Sequence, residues 1–128
     1  MRYSALIVDD SASIRLELRS LLEECGYTVA GEAKNGLEAI DKYIRTKPDL
    51  VTMDIVMPEL NGLDATQEIF KYDPQAKVIV ITSSLSQKIR LKAEELGVRS
   101  FVVKPITLDK LKKALELLKS PKKEVKYG

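Results

Sequence analysis

The sequence predicts an α/β fold, in which five parallel strands and five helices form one doubly wound sheet. Short β-branched or apolar runs alternate with helical patterns five times, which is typical of repeated βα units. Four of the five runs are almost entirely apolar, as strands are when helices cover both faces of a sheet.

The predicted strands are short, and turn-forming residues separate them from the helices. The strands span residues 5–8, 27–30, 50–53, 77–81 and 100–103. The turn residues are Gly26, Asn35-Gly36, Pro48, Asn61-Gly62, Asp73-Pro74 and Gly97. The second run mixes polar with apolar residues, so this strand is predicted to lie at an edge of the sheet.

Between the strands, apolar residues recur at helical spacing. The stripes are Ile14, Leu18, Leu21, Leu22 and Cys25; Leu37, Ile40 and Ile44; Leu63, Thr66 and Phe70; Ile89, Ala93 and Leu96; and Leu108, Leu111, Leu115 and Leu118. Each stripe is predicted to face the core. Right-handed crossovers through these helices give a flavodoxin-like sheet, whose ligand site lies beyond the carboxyl ends of the strands.

Length and composition fit one domain. The chain has 128 residues, of which 45% are hydrophobic and 31% charged, a balance typical of globular domains. We predict a single domain over residues 1–120 and a short basic tail over residues 121–128. Lys and Arg exceed Asp and Glu only by 21 to 19, which predicts no nucleic-acid partner. No apolar run approaches the roughly 18 residues of a membrane span, so no membrane insertion is expected.

The chain contains no histidine and a single cysteine, Cys25. The lack of histidine excludes His-based acid/base catalysis, Ser-His-Asp or Cys-His nucleophiles and His-ligated metals. One cysteine cannot form an internal disulfide, which favours a reducing, cytoplasmic setting. Any chemistry must therefore come from carboxylates, hydroxyls, lysines and backbone groups.

Polar residues gather at the carboxyl ends of four predicted strands. They are Asp9 and Asp10, Asp54, Thr82 and Ser83, and Lys104. Each of them alone has a structural explanation, because an Asp after a strand often caps a helix. Three carboxylates at one edge, however, repel one another unless a cation is present. Oxygen ligands without His or Cys suit Mg²⁺, so the sequence predicts a magnesium site at this edge.

This set of residues also suits phosphoryl transfer. The reaction needs an attacking oxygen in line with the leaving group, a metal, and further donors on the phosphoryl oxygens. Asp54 can attack, while Thr82 and Lys104 can hold the remaining oxygens.

Four strings of the sequence together resemble those of a known family. They are LIVDDSASIR, PDLVTMDIVMPELNGLDA, VIVITSS and FVVKPI. From about Tyr3 to Lys119 the chain resembles the receiver domains of two-component response regulators, particularly the stand-alone, CheY-like chemotaxis type. This resemblance implies a phosphorylation-dependent switch that assists its own phosphoryl transfer and dephosphorylation but is not an enzyme in the usual sense.

The resemblance implies a role for each acid at the strand ends. Asp54 is expected to be the phosphoacceptor. Asp9 and Asp10 look like the acidic pair that holds Mg²⁺ together with Asp54, and the backbone carbonyl of Val56 is expected to complete the protein ligands. Because the side chain of Val56 is apolar and cannot orient water, slow self-dephosphorylation is expected.

The remaining roles are those of the switch itself. Thr82 looks like the switch hydroxyl and Lys104 like the lysine that pairs with the phosphoryl group. The Lys104–Pro105 peptide bond is expected to be cis. Displacement of Thr82 is expected to leave space for Phe101, which stands where many chemotaxis members have tyrosine.

The resemblance also implies the partners. The expected phosphodonor is a histidine kinase of the CheA type or a small phosphodonor. The expected target is a downstream protein such as a flagellar or archaellar motor component or an adaptor, which binds the fourth helix, fifth strand and fifth helix.

The sequence leaves three other interpretations open. A receiver domain of a longer transcription factor or methylesterase would have the same sequence pattern. A magnesium-dependent phosphohydrolase of the haloacid-dehalogenase type also attacks with a strand-end aspartate, but it usually has an Asp-x-Asp pair on its first strand. A flavin-binding flavodoxin would need a Ser/Thr/Gly-rich phosphate loop, where this chain has DDSAS.

Overall fold

The computed structural model describes residues 2–119. Strands and helices alternate along this part of the chain in the order β1 (Tyr3–Val8), α1 (Ala12–Glu24), β2 (Tyr27–Ala33), α2 (Gly36–Thr46), β3 (Leu50–Met53), α3 (Gly62–Tyr72), β4 (Val78–Thr82), α4 (Gln87–Leu96), β5 (Ser100–Val103) and α5 (Leu108–Lys119). The basic tail predicted for residues 121–128 and the boundary at residue 120 lie outside the described residues.

The strands form one parallel sheet in the order β2-β1-β3-β4-β5. The predicted fold class and the edge position of β2 are therefore confirmed. Because β2 and β3 flank β1 on opposite sides, the ligand crevice of this sheet lies beyond the carboxyl ends of β1 and β3. β2 extends three residues past its predicted end, because after a register shift its ladder continues until Val8 pairs with Ala33.

Helices cover both faces of the sheet. Ile7 and Ile81 belong to the apolar cluster under α1 and α5, whereas Leu6 and Val51 belong to the cluster under α2 and α3. Successive residues of β1 thus point to opposite faces, as a pleated strand requires. A smaller cluster around Ala93 joins α4 to α3. No helix within residues 2–119 combines the length and the apolar character that crossing a bilayer requires.

The predicted core face of α2 is wrong at two of its three positions. Leu37 is 56% exposed and Ile44 is 42% exposed, whereas Ala39 and Tyr43 are buried and Ile40 packs at the margin of the core. At about 100° per residue, Ala39 and Tyr43 lie on one side of the helix and Leu37 on nearly the other. The prediction followed the larger aliphatic side chains and missed a face formed by a small residue and a tyrosine.

Side-chain caps position the helix starts beside the strand ends. The oxygens of Ser11, Asn35, Asn61 and Ser86 accept hydrogen bonds from the backbone amides of Ile14, Glu38, Asp64 and Ile89. These caps satisfy amides that have no partner within the helix. As Ser11 and Asn61 follow closely after β1 and β3, helices α1 and α3 begin at the edge where the acidic residues were predicted.

Candidate functional site

Backbone pairing brings the ends of β1 and β3 side by side. Val8 is paired with Met53 in the parallel ladder. Beyond that pair, the Asp54 amide donates to the Val8 carbonyl at 2.9 Å, and the Asp9 amide donates to the Ala33 carbonyl at 3.0 Å. The ladder therefore continues through the two aspartates and holds their backbones at neighbouring positions.

The three predicted acids meet at this edge. Carboxylate oxygens of Asp9, Asp10 and Asp54 lie within 4.8 Å of one another. Asp9 is 1% exposed and Asp54 is 6% exposed, while Asp10 is exposed to solvent. The predicted convergence of acids from two separate strands is thus found in the fold, with one member of the cluster open to water.

Lys104 is the cation that the fifth strand contributes to the cluster. Its Nζ lies 3.0 Å from Oδ2 of Asp9 and 3.8 Å from Oδ1 of Asp54. The other carboxylate oxygen of Asp9 accepts a hydrogen bond of 2.9 Å from the Ser11 amide. Asp9 is therefore fixed at both oxygens, whereas Asp54 has a shorter contact only to the Ile55 amide, at 2.9 Å.

The surroundings of Asp54 disfavour its charged form. Burial is the largest effect, and together with the negative charges of Asp9 and Asp10 it raises the pKa of Asp54 to about 6. The Lys104 ammonium and the Ile55 amide oppose this shift without cancelling it. One lysine thus does not balance three carboxylates, so a further cation at this edge would stabilise the ionised form of Asp54.

The donor set of the cluster fits Mg²⁺. Its members are three carboxylates without histidine or thiolate, and hard oxygen ligands are those that Mg²⁺ prefers. The exposure of Asp10 leaves room for the water molecules that this ion usually retains.

Thr82 lies at the end of β4 and is 2% exposed. Its hydroxyl donates to the Ser84 carbonyl at 3.1 Å, and the Thr82 hydroxyl oxygen in turn accepts from the Ser84 amide at 3.3 Å. The Lys104 amide donates to the Thr82 carbonyl at 2.8 Å, which ties the ends of β4 and β5 together. Ser83, the second hydroxyl predicted here, is exposed. The Lys104–Pro105 peptide bond is cis, as predicted.

Val56 and Phe101 are the two remaining residues to which the sequence analysis assigned a role. Val56 follows Asp54 by two residues, and its side chain is 75% exposed. Phe101 is half-buried against the α3–α4 cluster. The guanidinium carbon of Arg90 lies 4.9 Å from the centre of the Phe101 ring, a distance at which a cation is attracted to the aromatic face.

Gly62 is a residue of the site that the sequence analysis treated only as a turn residue. Its amide donates to the Ile55 carbonyl at 2.8 Å, and a Cβ at this position would lie 1.9 Å from the backbone oxygen of Asp54. No side chain fits there, so only glycine lets α3 begin this close to the acceptor. The available signal was the glycine itself, since glycine is the usual residue where another part of the backbone must approach closely.

The loop between Asp54 and α3 is held from a second side by Gly36. The Gly36 amide donates to the Leu60 carbonyl at 2.9 Å, and an added Cβ would lie 2.2 Å from that oxygen. The neighbouring Glu59 has a φ of 68°, a conformation that is uncommon for residues other than glycine. Sequence reasoning treated Gly36 only as a turn residue.

The family of the chain follows from its comparison with known proteins. Residues 5–116 match the model of the response regulator receiver domain. The chain therefore belongs to the receiver domains of two-component response regulators, and the family resemblance drawn from the four strings is confirmed. Membership in this family removes the flavodoxin interpretation. Domains of this type are signalling proteins rather than classical enzymes, which argues against the phosphohydrolase interpretation.

Relatives and solved structures agree with this membership. The chain is 49% identical over 110 residues to the chemotaxis protein CheY of Thermotoga maritima, covering 86% of this chain and 92% of that protein. The CheX–CheY–BeF3–Mg²⁺ complex from Borrelia burgdorferi has a chain that matches with a TM-score of 0.85 and 30% identity, over 88% of this chain and 86% of its own. The response regulator domain of Thermotoga maritima CheB matches with a TM-score of 0.83 and 35% identity, over 94% of this chain and 99% of its own.

Proposed function

We propose that this chain is a phosphorylation-dependent signalling switch, which accepts a phosphoryl group on Asp54 in the presence of Mg²⁺ and then binds a partner with changed affinity. The observation that supports this most directly is the acidic cluster. Oxygens of Asp9, Asp10 and Asp54 lie within 4.8 Å of one another, with Lys104 as the cation beside them.

The proposed ligands of Mg²⁺ are the carboxylates of Asp9, Asp10 and Asp54 and the backbone carbonyl of Val56. Bound there, the ion supplies positive charge that offsets the repulsion among the acids and the negative charge of an incoming phosphoryl group. The pKa of Asp54, raised to about 6, is then expected to fall, which makes its carboxylate available at neutral pH.

Phosphoryl transfer is proposed to begin at an oxygen of the Asp54 carboxylate. This oxygen attacks the phosphorus of a phosphohistidine on a CheA-like kinase, and a P–O bond forms as the P–N bond breaks. The electron pair of the broken bond leaves with the imidazole, which takes up a proton from solvent. With a small donor such as acetyl phosphate, the leaving group is acetate. Lys104, whose Nζ lies 3.8 Å from Asp54 Oδ1, is proposed to contact an equatorial oxygen of the phosphoryl group.

The proposed switch runs from Asp54 to the surface of α4, β5 and α5. Phosphoryl oxygens are expected to draw the Thr82 hydroxyl away from the Ser84 backbone, to which it is now bonded. Phe101 then has room to turn inward, and that movement would separate its ring from Arg90, which now lies above it. Because the exposed Val56 side chain is apolar, water beside the acyl phosphate is not oriented by it, and slow self-dephosphorylation is proposed.

A role in chemotaxis is proposed because the Thermotoga maritima relative is named a chemotaxis protein. The target is then a motor component or an adaptor protein in the cytoplasm. The complex of CheX with CheY among the solved structures is consistent with a protein partner for a receiver of this kind.

A second candidate is a receiver that belongs to a longer response regulator, in which residues 1–120 form the phosphorylated domain. The observation in its favour is the likeness to the response regulator domain of CheB. Phosphorylation at Asp54 is expected in both cases, and the output of the protein is what differs between them.

The test is intact-mass measurement after incubation with acetyl phosphate and Mg²⁺. Wild-type protein is expected to gain about 80 Da, the mass of one phosphoryl group. Asp54→Asn protein, and wild-type protein treated with a chelator, are expected to gain nothing.

Asp41→Asn is the matched control for this experiment, since Asp41 lies on the exposed face of α2 in an ion pair with Arg45. This variant removes one carboxylate far from the strand ends and is expected to be phosphorylated like wild type. A mass gain in Asp54→Asn equal to that of Asp41→Asn would exclude Asp54 as the acceptor.

A further inference from the structure

We propose that Arg15 is a positioning residue for the magnesium-binding acids, which it holds through the backbone of Asp9. This inference rests on the proposed function, since it concerns the same acidic edge. Arg15 belongs to α1, and its contact with the proposed metal ligands is to a backbone carbonyl rather than to a carboxylate.

The guanidinium of Arg15 bridges two elements. Its Nη1 donates to the backbone carbonyl of Asp9 at 2.7 Å, and its Nε donates to Oε1 of Glu32 on β2 at 2.9 Å. The Arg15 side chain is 18% exposed and that of Glu32 is 32% exposed. Both ends of a rigid, planar group are therefore engaged in a partly buried place, which fixes its orientation.

The carbonyl that Arg15 holds belongs to the peptide group between Asp9 and Asp10. Rotation of this peptide would move both side chains of the acidic pair at once. The Asp9 carboxylate is already fixed by the Ser11 amide and by Lys104, whereas Asp10 is exposed. The Arg15 contact thus links α1 and β2 to the peptide group that leads into Asp10.

Charge and geometry predict opposite effects for removal of Arg15. A guanidinium near a cation site repels the cation, so its loss would strengthen Mg²⁺ binding if charge alone mattered. If Arg15 acts by holding the acids in place, its loss weakens Mg²⁺ binding, as loss of groups that orient metal ligands commonly does by about tenfold or more. Whether Mg²⁺ affinity rises or falls on loss of Arg15 therefore distinguishes a charge effect from a positioning role.

Arg19 offers a matched control on the same helix. It also contacts Glu32, through Nη2 at 2.7 Å from Oε2, so the arginines share one carboxylate. Of these two arginines, Arg15 has a hydrogen bond to the Asp9 carbonyl, whereas the hydrogen bonds of Arg19 go to Glu32. Arg15→Gln and Arg19→Gln each remove one ion pair with Glu32 and one positive charge, and they differ in the contact with the acidic pair.

The experiment is calorimetric titration of the intact protein with Mg²⁺ at about pH 8, where Asp54 is ionised. We expect Arg15→Gln to bind Mg²⁺ about tenfold more weakly than wild type, and Arg19→Gln to bind within about twofold of wild type. Arg15→Lys keeps the charge but cannot contact Glu32 and Asp9 with one planar group. Its affinity is expected to fall between those of wild type and Arg15→Gln.

The midpoint of thermal unfolding, measured without divalent ions, shows how much each substitution destabilises the fold. Similar midpoints for the two Gln variants, with different Mg²⁺ affinities, would support a positioning role for Arg15. Equal or tighter Mg²⁺ binding by Arg15→Gln would overturn that role while leaving the proposed function in place. Failure of the wild-type protein itself to bind Mg²⁺ would overturn both.

Discussion

Aspartates lie at both ends of the sheet, but the groups that pair with their carboxylates differ between the two ends. At the amino end, Asp49 accepts from the Ser4 amide at 2.7 Å, and Asp73 accepts from the Tyr43 hydroxyl at 2.7 Å and from the Gln75 amide at 3.0 Å. At the carboxyl end, three carboxylates lie within 4.8 Å of one another, and Lys104 is the lysine that contacts two of them.

This difference indicates a structural role for the aspartates at the amino end and a ligand-binding role for those at the carboxyl end. Neutral donors at the amino end match the acids they face, so that edge needs no ligand to be stable. The carboxyl end keeps an excess of negative charge in a buried place, which costs stability unless a cation binds. In parallel α/β sheets the carboxyl end is also where ligands bind.

The largest expected effect tests whether the carboxyl end depends on close backbone contact. Gly62→Ala places a methyl group against the backbone oxygen of Asp54, at 1.9 Å before any relaxation. We expect a loss of about 3 kcal/mol in the free energy of unfolding, since α3 or the acceptor loop must move. Urea titration measures the loss, and phosphorylation by acetyl phosphate is expected to fall with it.

Gly31→Ala is the control for that change. An added Cβ at Gly31 would lie 3.5 Å from Leu6 Cδ1, an ordinary contact, and Gly31 stands in β2 away from the acceptor. A loss of stability in Gly31→Ala as large as that in Gly62→Ala would mean that the effect does not arise from contact with Asp54.

The next effect tests the excess negative charge of the carboxyl end. Asp54→Asn is expected to raise the free energy of unfolding by about 2 kcal/mol at neutral pH without divalent ions. The reason is the raised pKa of Asp54, about 6 in the folded protein. Asn has the shape of Asp, retains an oxygen for the Ile55 amide, and carries no charge.

The stabilisation expected for Asp54→Asn relative to wild type depends on pH. Between about pH 4 and pH 6 the folded protein retains a proton on Asp54 that the unfolded chain has lost. Wild-type stability from this group is therefore fully present below that range and falls as the pH rises through it. Asp54→Asn lacks this fall, so chemical denaturation from about pH 4 to pH 8 should show the two curves separating. Parallel curves would argue against the raised pKa.

The smallest expected change in stability is at the amino end of the sheet. Tyr43→Phe removes the hydroxyl that donates to Asp73 in a place where Tyr43 is 3% exposed. Burial and this hydrogen bond raise the pKa of Tyr43, so the hydroxyl is a donor throughout the neutral range. We expect a loss of about 1.5 kcal/mol in the free energy of unfolding, with no change in phosphorylation.

Tyr72→Phe makes the same chemical change at a tyrosine that is 50% exposed and contacts the Tyr43 ring edge-on. Tyr72→Phe is expected to lower the free energy of unfolding by less than Tyr43→Phe does. If Tyr43→Phe instead slowed phosphorylation, the amino end would not be a purely structural region, and the contrast between the two ends would fail.

The sequence by itself predicted the fold and placed the candidate polar residues of the site at one edge of the sheet. The apolar runs at β3, β4 and β5 could be recognised because a strand buried on both faces leaves few polar residues in it. Asp9, Asp10, Asp54, Thr82 and Lys104 could be placed at one edge because each lies at or just after the end of a strand, and parallel strands end on the same side. These properties are local in sequence, so a single chain is enough to read them.

Only the tertiary structure decided how closely these residues meet. The contact of Gly62 with Asp54 and that of Arg15 with Asp9 depend on how helices pack on the sheet, and no spacing in the sequence encodes such distances. The raised pKa of Asp54 likewise depends on burial and on charges from other strands. The core face of α2 was mistaken because helical periodicity shows which residues share a side, while packing decides which side is covered.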